Sequence, residues 1–382
     1  MKRIISSILA LGMVFSIGSG CSQSSAPLSN PVKVTADGDV DMEAALSYQT
    51  DIDALLKQLD EKEIDGTKPV SENTNEITQE VFDFLRENYG KNIISAQQMF
   101  ALQSHEDTLY YAVTKDLPAM KGFDMIFITA SGDTTQVDMA IDWWKNCGGL
   151  VTFTWHWNVP RDINNPDGGT AFYTDEITNF SLMNAVTPGT AEYERVIHDI
   201  DLVAIQLQRL EAEGVPVLWR PLHEASGSWF WWGKQTGETV KAECYQKLWY
   251  MIYDRLENYH KLTNLIWVWN GQNKLMTVHP NTYDIAGTDI YPNSQDHSSQ
   301  LSGYNKLETI TDPSKMMTLS ECGYIPDVKE CQKDGAMWLY YMPWYGDFVY
   351  QSTKSGAPIL NLDSVPKINE EKMSEDFLKS MF

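Results

Sequence analysis

The feature that most constrains this chain is a regular alternation. Eight short apolar runs, each bounded by polar, Gly or Pro positions, recur with helical patterns between most of them. The runs are residues 93–99, 125–130, 150–157, 215–221, 265–269, 285–291, 316–320 and 337–344. Helical periodicity covers 76–89, 135–147, 192–212 and 241–259, and is less regular over 294–307 and 326–334. The clearest stripe is Val196, Ile200, Val203, Ala204, Leu207 and Leu210, stopped by Glu213-Gly214. Strand–helix repetition of this kind implies parallel strands joined by right-handed crossovers. Eight such units close into a (β/α)8 or TIM barrel, an α/β fold in one domain. An open doubly wound sheet is the competitor. It calls for a Gly-rich phosphate loop after the first strand, where Ser95-Ala96-Gln97-Gln98 stands instead.

The barrel is expected over residues 66–382. Ahead of it, Lys2-Arg3, an apolar stretch over residues 4–17 and the small residues Gly18-Ser19-Gly20 read as a signal peptide, residues 1–20. Cys21 follows directly, as in a bacterial lipoprotein cleavage box, although position 18 is Gly rather than Leu. The expectation is an exported lipoprotein anchored at the cell envelope or surface by acyl chains on Cys21, with no other tie to a membrane. Residues 21–65 then form a tether and lead-in, with one weakly amphipathic patch at 52–59. The remaining cysteines, Cys147, Cys244, Cys322 and Cys331, are too few for a disulfide framework, though Cys322 and Cys331 could pair. A formal net charge of −23 repels nucleic acid and anionic polymers and suits a neutral substrate.

In such barrels the functional side chains sit at the C-terminal ends of the strands. The polar and aromatic residues of this chain collect there. The third run ends in Thr154-Trp155-His156-Trp157-Asn158, the fourth in Trp219-Arg220-Pro221-Leu222-His223-Glu224, and the fifth in Trp269-Asn270. The sixth ends in Asp289-Ile290-Tyr291-Pro292, the seventh in Ser320-Glu321, and the eighth in Pro343-Trp344. Two carboxylates on strands four and seven would meet at one mouth. Retaining hydrolysis of a glycosidic bond needs such a pair about 5–5.5 Å apart, one as nucleophile and one as acid and then base. Like charges that close cannot both ionise, which divides the roles. Alone, Glu224 reads equally well as half of a structural ion pair, and Ser-Glu-Cys-Gly around Glu321 is a common tetrapeptide. Their convergence carries the reading.

Around them, Arg220 could neutralise the nucleophile and Tyr291 could donate to it. His223 could bind a sugar hydroxyl or orient Glu224. Trp229, Trp231, Trp232 and Trp344 offer flat faces for pyranose rings, at least one of the four simply packing the loop. The long connection over residues 159–189 is a candidate cleft wall. The seven His show no metal-ligand spacing and no Gly-x-Ser-x-Gly elbow is present, so neither a metal nor an organic cofactor is expected.

The segment Trp219 to Glu224, with Trp229-Phe230-Trp231-Trp232-Gly233 and Ser320-Glu321, resembles glycoside hydrolase family 26. The resemblance covers roughly residues 75–360. It implies a retaining barrel whose dominant activity is endo-β-1,4-mannanase, acting on mannan, glucomannan or galactomannan. It implies Glu224 as acid/base and Glu321 as nucleophile, with His156, His223, Trp229, Tyr291 and Trp344 around the −1 sugar. Where many members read Glu-Met-Asn-Gly, this chain reads Glu224-Ala225-Ser226-Gly227, which alters contacts on the leaving side. The family's β-1,3-xylanases and mixed-linkage β-glucanases are the alternative activities. A non-catalytic surface glycan-binding protein is the alternative of another class.

Overall fold

Burial on both faces shapes the strands of this chain. The computed structural model describes residues 29–100, 105–233, 238–293, 296–346, 348 and 359–360. Its barrel strands are β1 (Ile93–Gln98), β2 (Met120–Asp124), β3 (Leu150–Thr154), β4 (Val217–Arg220), β5 (Leu265–Trp269), β6 (Ile285–Ile290), β7 (Met316–Cys322) and β8 (Tyr340–Pro343). All but β6 are buried along their whole length. Parallel strands covered by helices outside and packed side chains inside have no wet face, hence the near-continuous apolar runs. Each strand pairs in parallel with the next, and β8 returns to β1 through Ile94–Tyr340 and Ser95–Tyr341, closing the expected (β/α)8 barrel.

The helices start where side chains can satisfy free N–H groups. Asn75 accepts from Thr78 N to open Glu76–Asn88, and Thr190 accepts from Tyr193 N to open Ala191–Ala212. The latter stops at Gly214, whose φ of +69° suits a residue without a Cβ. The expected helices at 135–147 and 241–259 each end in a π-helical turn, Trp143–Cys147 and Arg255–Tyr259.

The second strand is a correction. It is Met120–Asp124, in register with Leu150–Thr154 of β3, and the segment expected at 125–130 begins the short helix Ile126–Ser131 instead. Lys121 and Gly122 break the apolar pattern of the true strand, and both have structural reasons. Buried Lys121 is neutralised by Asp107 at 2.5 Å and lies 4.1 Å from the centre of the Trp143 ring. A Cβ on Gly122 would come 2.3 Å from Gln98 Oε1 and 2.5 Å from Met342 Sδ.

The expected anchor position Cys21 and the expected signal segment 1–20 lie outside the described residues. From Ser29 onward the lead-in is docked. Ser29 Oγ donates to Glu211, and Asn30 N donates to His260 O. Helix Ile52–Asp60 buries Leu55 and Leu59 in the common core. Val70 N and Ser71 Oγ donate to buried Asp284 and Glu257 at 2.7 and 2.6 Å. Arg255, almost fully buried, holds Asp201 through two nitrogens and donates to Ala45 O. The described cysteines are buried and form no disulfide, so Cys322 and Cys331 are not bridged.

This docking gives the first expected outcome. Leu59→Ala will lower the unfolding free energy by about 2–5 kcal/mol in denaturant titration, the cost of a cavity in a shared core. An unchanged midpoint would mean that the segment hangs free of the barrel.

Candidate active site

The β4 strand delivers Arg220 to the barrel interior and then runs into a strained turn. Leu222 and Glu224 have φ of 52° and 53°, left-handed values that cost a non-glycine residue on the order of 1–3 kcal/mol. Buried contacts hold the turn. Leu222 is packed in the core, Trp232 Nε1 donates to His223 O, and Gly227 N donates to Glu224 O. The Glu224 N–H donates to Asn270 Oδ1 at 3.2 Å. Trp229 Nε1 donates to Glu224 Oε2 at 2.7 Å, with the indole lying over Gly227, where a Cβ would come 2.4 Å from it.

A backbone irregularity aims Glu321. Thr288 of β6 pairs with Leu319, but the next residue, Asp289, pairs with Glu321. On the other side Tyr341 pairs with Leu319 and Pro343 with Cys322. Strand β7 therefore carries one extra residue against both neighbours, a β-bulge at Ser320–Glu321. Consecutive side chains of a regular strand point to opposite faces; a bulge lets two point the same way. Here Ser320 Oγ donates to Asp289 Oδ1 at 2.6 Å, and Glu321 beside it accepts from Arg220 Nη2 and from Tyr291 Oη at 2.7 Å. Both reach the same interior cluster.

The structure thus brings the two carboxylates together. One carboxylate oxygen from each of Glu224, Asp289 and Glu321 lies within 4.8 Å of the others. Such a trio could grip a cation, and the cation it faces is Arg220. That guanidinium is fully buried and bonds Asp289 through Nη1 at 3.1 Å and Glu321 through Nη2. Asn270 ties the set together. It accepts from Glu224 N and Gln272 Nε2, and its Nδ2 donates to Asp289 at 2.8 Å and Ser320 at 2.6 Å.

Charge is unequally shared across the pair. Burial, with the negative charges of Asp289 and Glu321, pushes the Glu224 carboxyl well above its usual range, while the Trp229 indole and Arg220 oppose this. Burial and Asp289 also raise Glu321, but less, because Arg220 and Tyr291 both stabilise its ionised form. The shared proton therefore resides on Glu224 and the charge on Glu321. Tyr291 stays a phenol, since burial of its hydroxyl and the Glu321 charge raise it far above its ordinary value. Burial, His156 and Arg220 push His223 well down, so its imidazole is neutral.

His156 stands beside this centre. Its Nδ1 is held by Asp124 Oδ2 at 2.5 Å and its backbone N–H by Asp124 Oδ1 at 3.0 Å. Its ring lies 4.5 Å from that of His223 and 5.8 Å from that of Trp344. His223 is buried, facing Thr154 Oγ1 at 3.1 Å through Nδ1. Trp229 is half exposed, as a sugar platform must be. Trp231 and Trp232 are not available as platforms: both are buried, with Nε1 groups spent on Trp157 O and His223 O. They pack the loop.

Sequence reasoning gave no role to Asp289, Asn270, Asp124 or Tyr173. Asp289 and Asn270 end strands and carried that signal; Asp124 was hidden by the misplaced second strand. Tyr173 belongs to the 159–189 connection, which forms a small ribbon of Val159–Pro160 with Thr170–Ala171. Tyr173 bridges to Phe230, and Thr174 N donates to Trp229 O at 2.6 Å, so this connection walls the Glu224 side of the mouth.

Comparison with known proteins points to one family. The sequence profile of glycosyl hydrolase family 26 matches residues 70–365. A mannan endo-1,4-β-mannosidase B of Piromyces sp is 39% identical over 315 residues, covering 76% of this chain and 52% of the relative. The chain spans about half the length of the curated relatives it matches first. Among solved structures, a ruminal family 26 endo-β-1,4-mannanase superposes with a TM-score of 0.72 at 27% identity, over 78% of this chain and 70% of the other. A β-mannanase from a symbiotic protist of the termite Reticulitermes speratus, complexed with a gluco-manno-oligosaccharide, gives 0.70 at 29% identity over 78% and 98%. With the profile running through the whole barrel, the chain belongs to glycosyl hydrolase family 26.

Proposed function

We propose that this chain is a retaining β-1,4-mannanase, exported and held at the cell envelope by lipid on Cys21. The observation that carries the catalytic reading is the approach of Glu224 to Glu321 within 4.8 Å. That gap suits a carboxylate that bonds directly to the sugar. An inverting pair stands about 6.5–9.5 Å apart to admit a water. The names of the relatives favour mannan as substrate. The leader sequence and Cys21 favour export and anchoring.

The chemistry follows from the charge order. Glu321, ionised and aimed by Arg220 and Tyr291, attacks the anomeric carbon from one face. As the carbon–oxygen bond to the leaving sugar breaks, the proton on Glu224 passes to the departing oxygen, and a glycosyl ester on Glu321 results. The ester removes the Glu321 charge that had raised Glu224, so the Glu224 carboxylate becomes a stable base. It takes a proton from water, the water oxygen bonds to the same carbon, and Glu321 leaves as a carboxylate. Two displacements retain the anomeric configuration. Trp344, His156 and Trp229 would bound the sugar at the reacting position.

Three outcomes are expected. Glu224→Ala will cut mannan hydrolysis by about 10²–10⁴-fold, and Glu321→Ala by at least as much, with the circular dichroism spectrum unchanged. On an aryl β-mannobioside, whose leaving group departs without an acid, added azide will restore turnover in both, giving a β-glycosyl azide with Glu224→Ala and an α-glycosyl azide with Glu321→Ala. Near-normal hydrolysis by either variant, or a first product of inverted configuration by proton NMR, sinks the assignment. A sugar-release panel over mannan, lichenan and β-1,3-xylan tests the substrate.

Tyr291→Phe removes a hydrogen bond to the ionised form of Glu321. The Glu321 pKa then rises, less of it is charged at low pH, and the acidic limb of the pH–rate profile moves to higher pH. An unmoved limb argues against Glu321 as the group that must be ionised. Asn270→Ala frees the Glu224 backbone from Asp289. It should lower kcat by about tenfold or more with little change in KM, as for an interaction that matters mainly in the transition state.

A further inference from the structure

Resting on that function, we infer that Phe100 and Tyr345 form a distal sugar-binding platform that extends the cleft on the glycone side, for β-1,4-linked hexopyranose chains longer than the two sugars nearest the bond. Phe100 follows β1 and is 45% exposed, unusual for so large an apolar ring. Its ring stacks on Tyr345 with centroids 4.7 Å apart and planes 20° from parallel. Tyr345 in turn neighbours Trp344, with centroids 5.3 Å apart and planes 38° from parallel. Trp344 faces His156 at 5.8 Å. The rings therefore make a continuous course from the reacting sugar outward over the ends of β8 and β1.

The course follows β8 and β1, which stand across the closed barrel from β4 and the loop that carries Glu224. That loop, with Glu224 protonating the departing oxygen, marks where the leaving sugar sits. The opposite course receives the glycone. The stacking holds Phe100 in place before substrate arrives, which cuts the ordering cost of binding. An exposed ring already fixed by a neighbour suits the apolar face of a pyranose, whereas a ring packed for stability would be buried. Phe127 lies beside it, its ring centre 6.1 Å away and its plane tilted by 59°.

The test compares Phe100→Ala and Phe100→Tyr with the parent chain on mannohexaose and on an aryl β-mannobioside. Phe100 touches neither catalytic carboxylate and is half exposed, so the variants fold; the melting temperature checks this. The expected result is a loss of about tenfold in kcat/KM on mannohexaose for Phe100→Ala, recovery with Phe100→Tyr, and less than a twofold change on the aryl mannobioside. Equal losses on both substrates, or no loss on mannohexaose, overturn the platform. If the parent chain cleaves neither substrate, the mannanase reading fails instead, and calorimetric titration of mannohexaose into parent and Phe100→Ala still decides. Weaker binding by the variant supports the platform, and equal binding refutes it.

Discussion

A single buried guanidinium organises the mouth of this barrel. Arg220 is removed from water entirely and is stable there only because Asp289 and Glu321 lie against it. Desolvating such an ion costs several kcal/mol unless its partners are in place, and the converse holds for the two carboxylates. Each of the three therefore depends on the other two. The positive charge also does selective work. It lies on Glu321 and Asp289 and reaches Glu224 only at longer range, so it separates two chemically identical side chains into one that carries charge and one that carries a proton.

The backbone around this ion is correspondingly irregular. Left-handed residues at Leu222 and Glu224, and the extra residue in β7, are costly departures from regular structure. Each brings a carboxylate to the cluster. The surrounding Trp-rich loop absorbs the cost by burial, with Trp231 and Trp232 sunk beneath the mouth and their N–H groups satisfied by carbonyls. Aromatic abundance thus divides by exposure: buried rings fix the loop, while Trp229, Tyr291 and Phe100 stay exposed.

The barrel was legible because strands buried on both faces leave apolar runs that few other folds repeat eight times. The second strand was missed since Lys121 and Gly122 interrupt its run, and the reasons for both lie in distant neighbours, Asp107 and Met342. The carboxylate pair was legible from strand ends alone. Asp289 was not given a role, because its importance comes from Arg220, a residue 69 positions away. No local pattern reports the β7 bulge either. A strict alternation would have pointed Glu321 out of the barrel, so its convergence with Glu224 depends on a register that only the folded sheet displays.

Ser29 is fastened at the floor of the barrel, where Glu211 also accepts from Thr263 just ahead of β5. The catalytic mouth occupies the opposite rim. The lead-in from Ser29 to Ser71 is thus bonded to the end of the barrel that lies away from the two carboxylates.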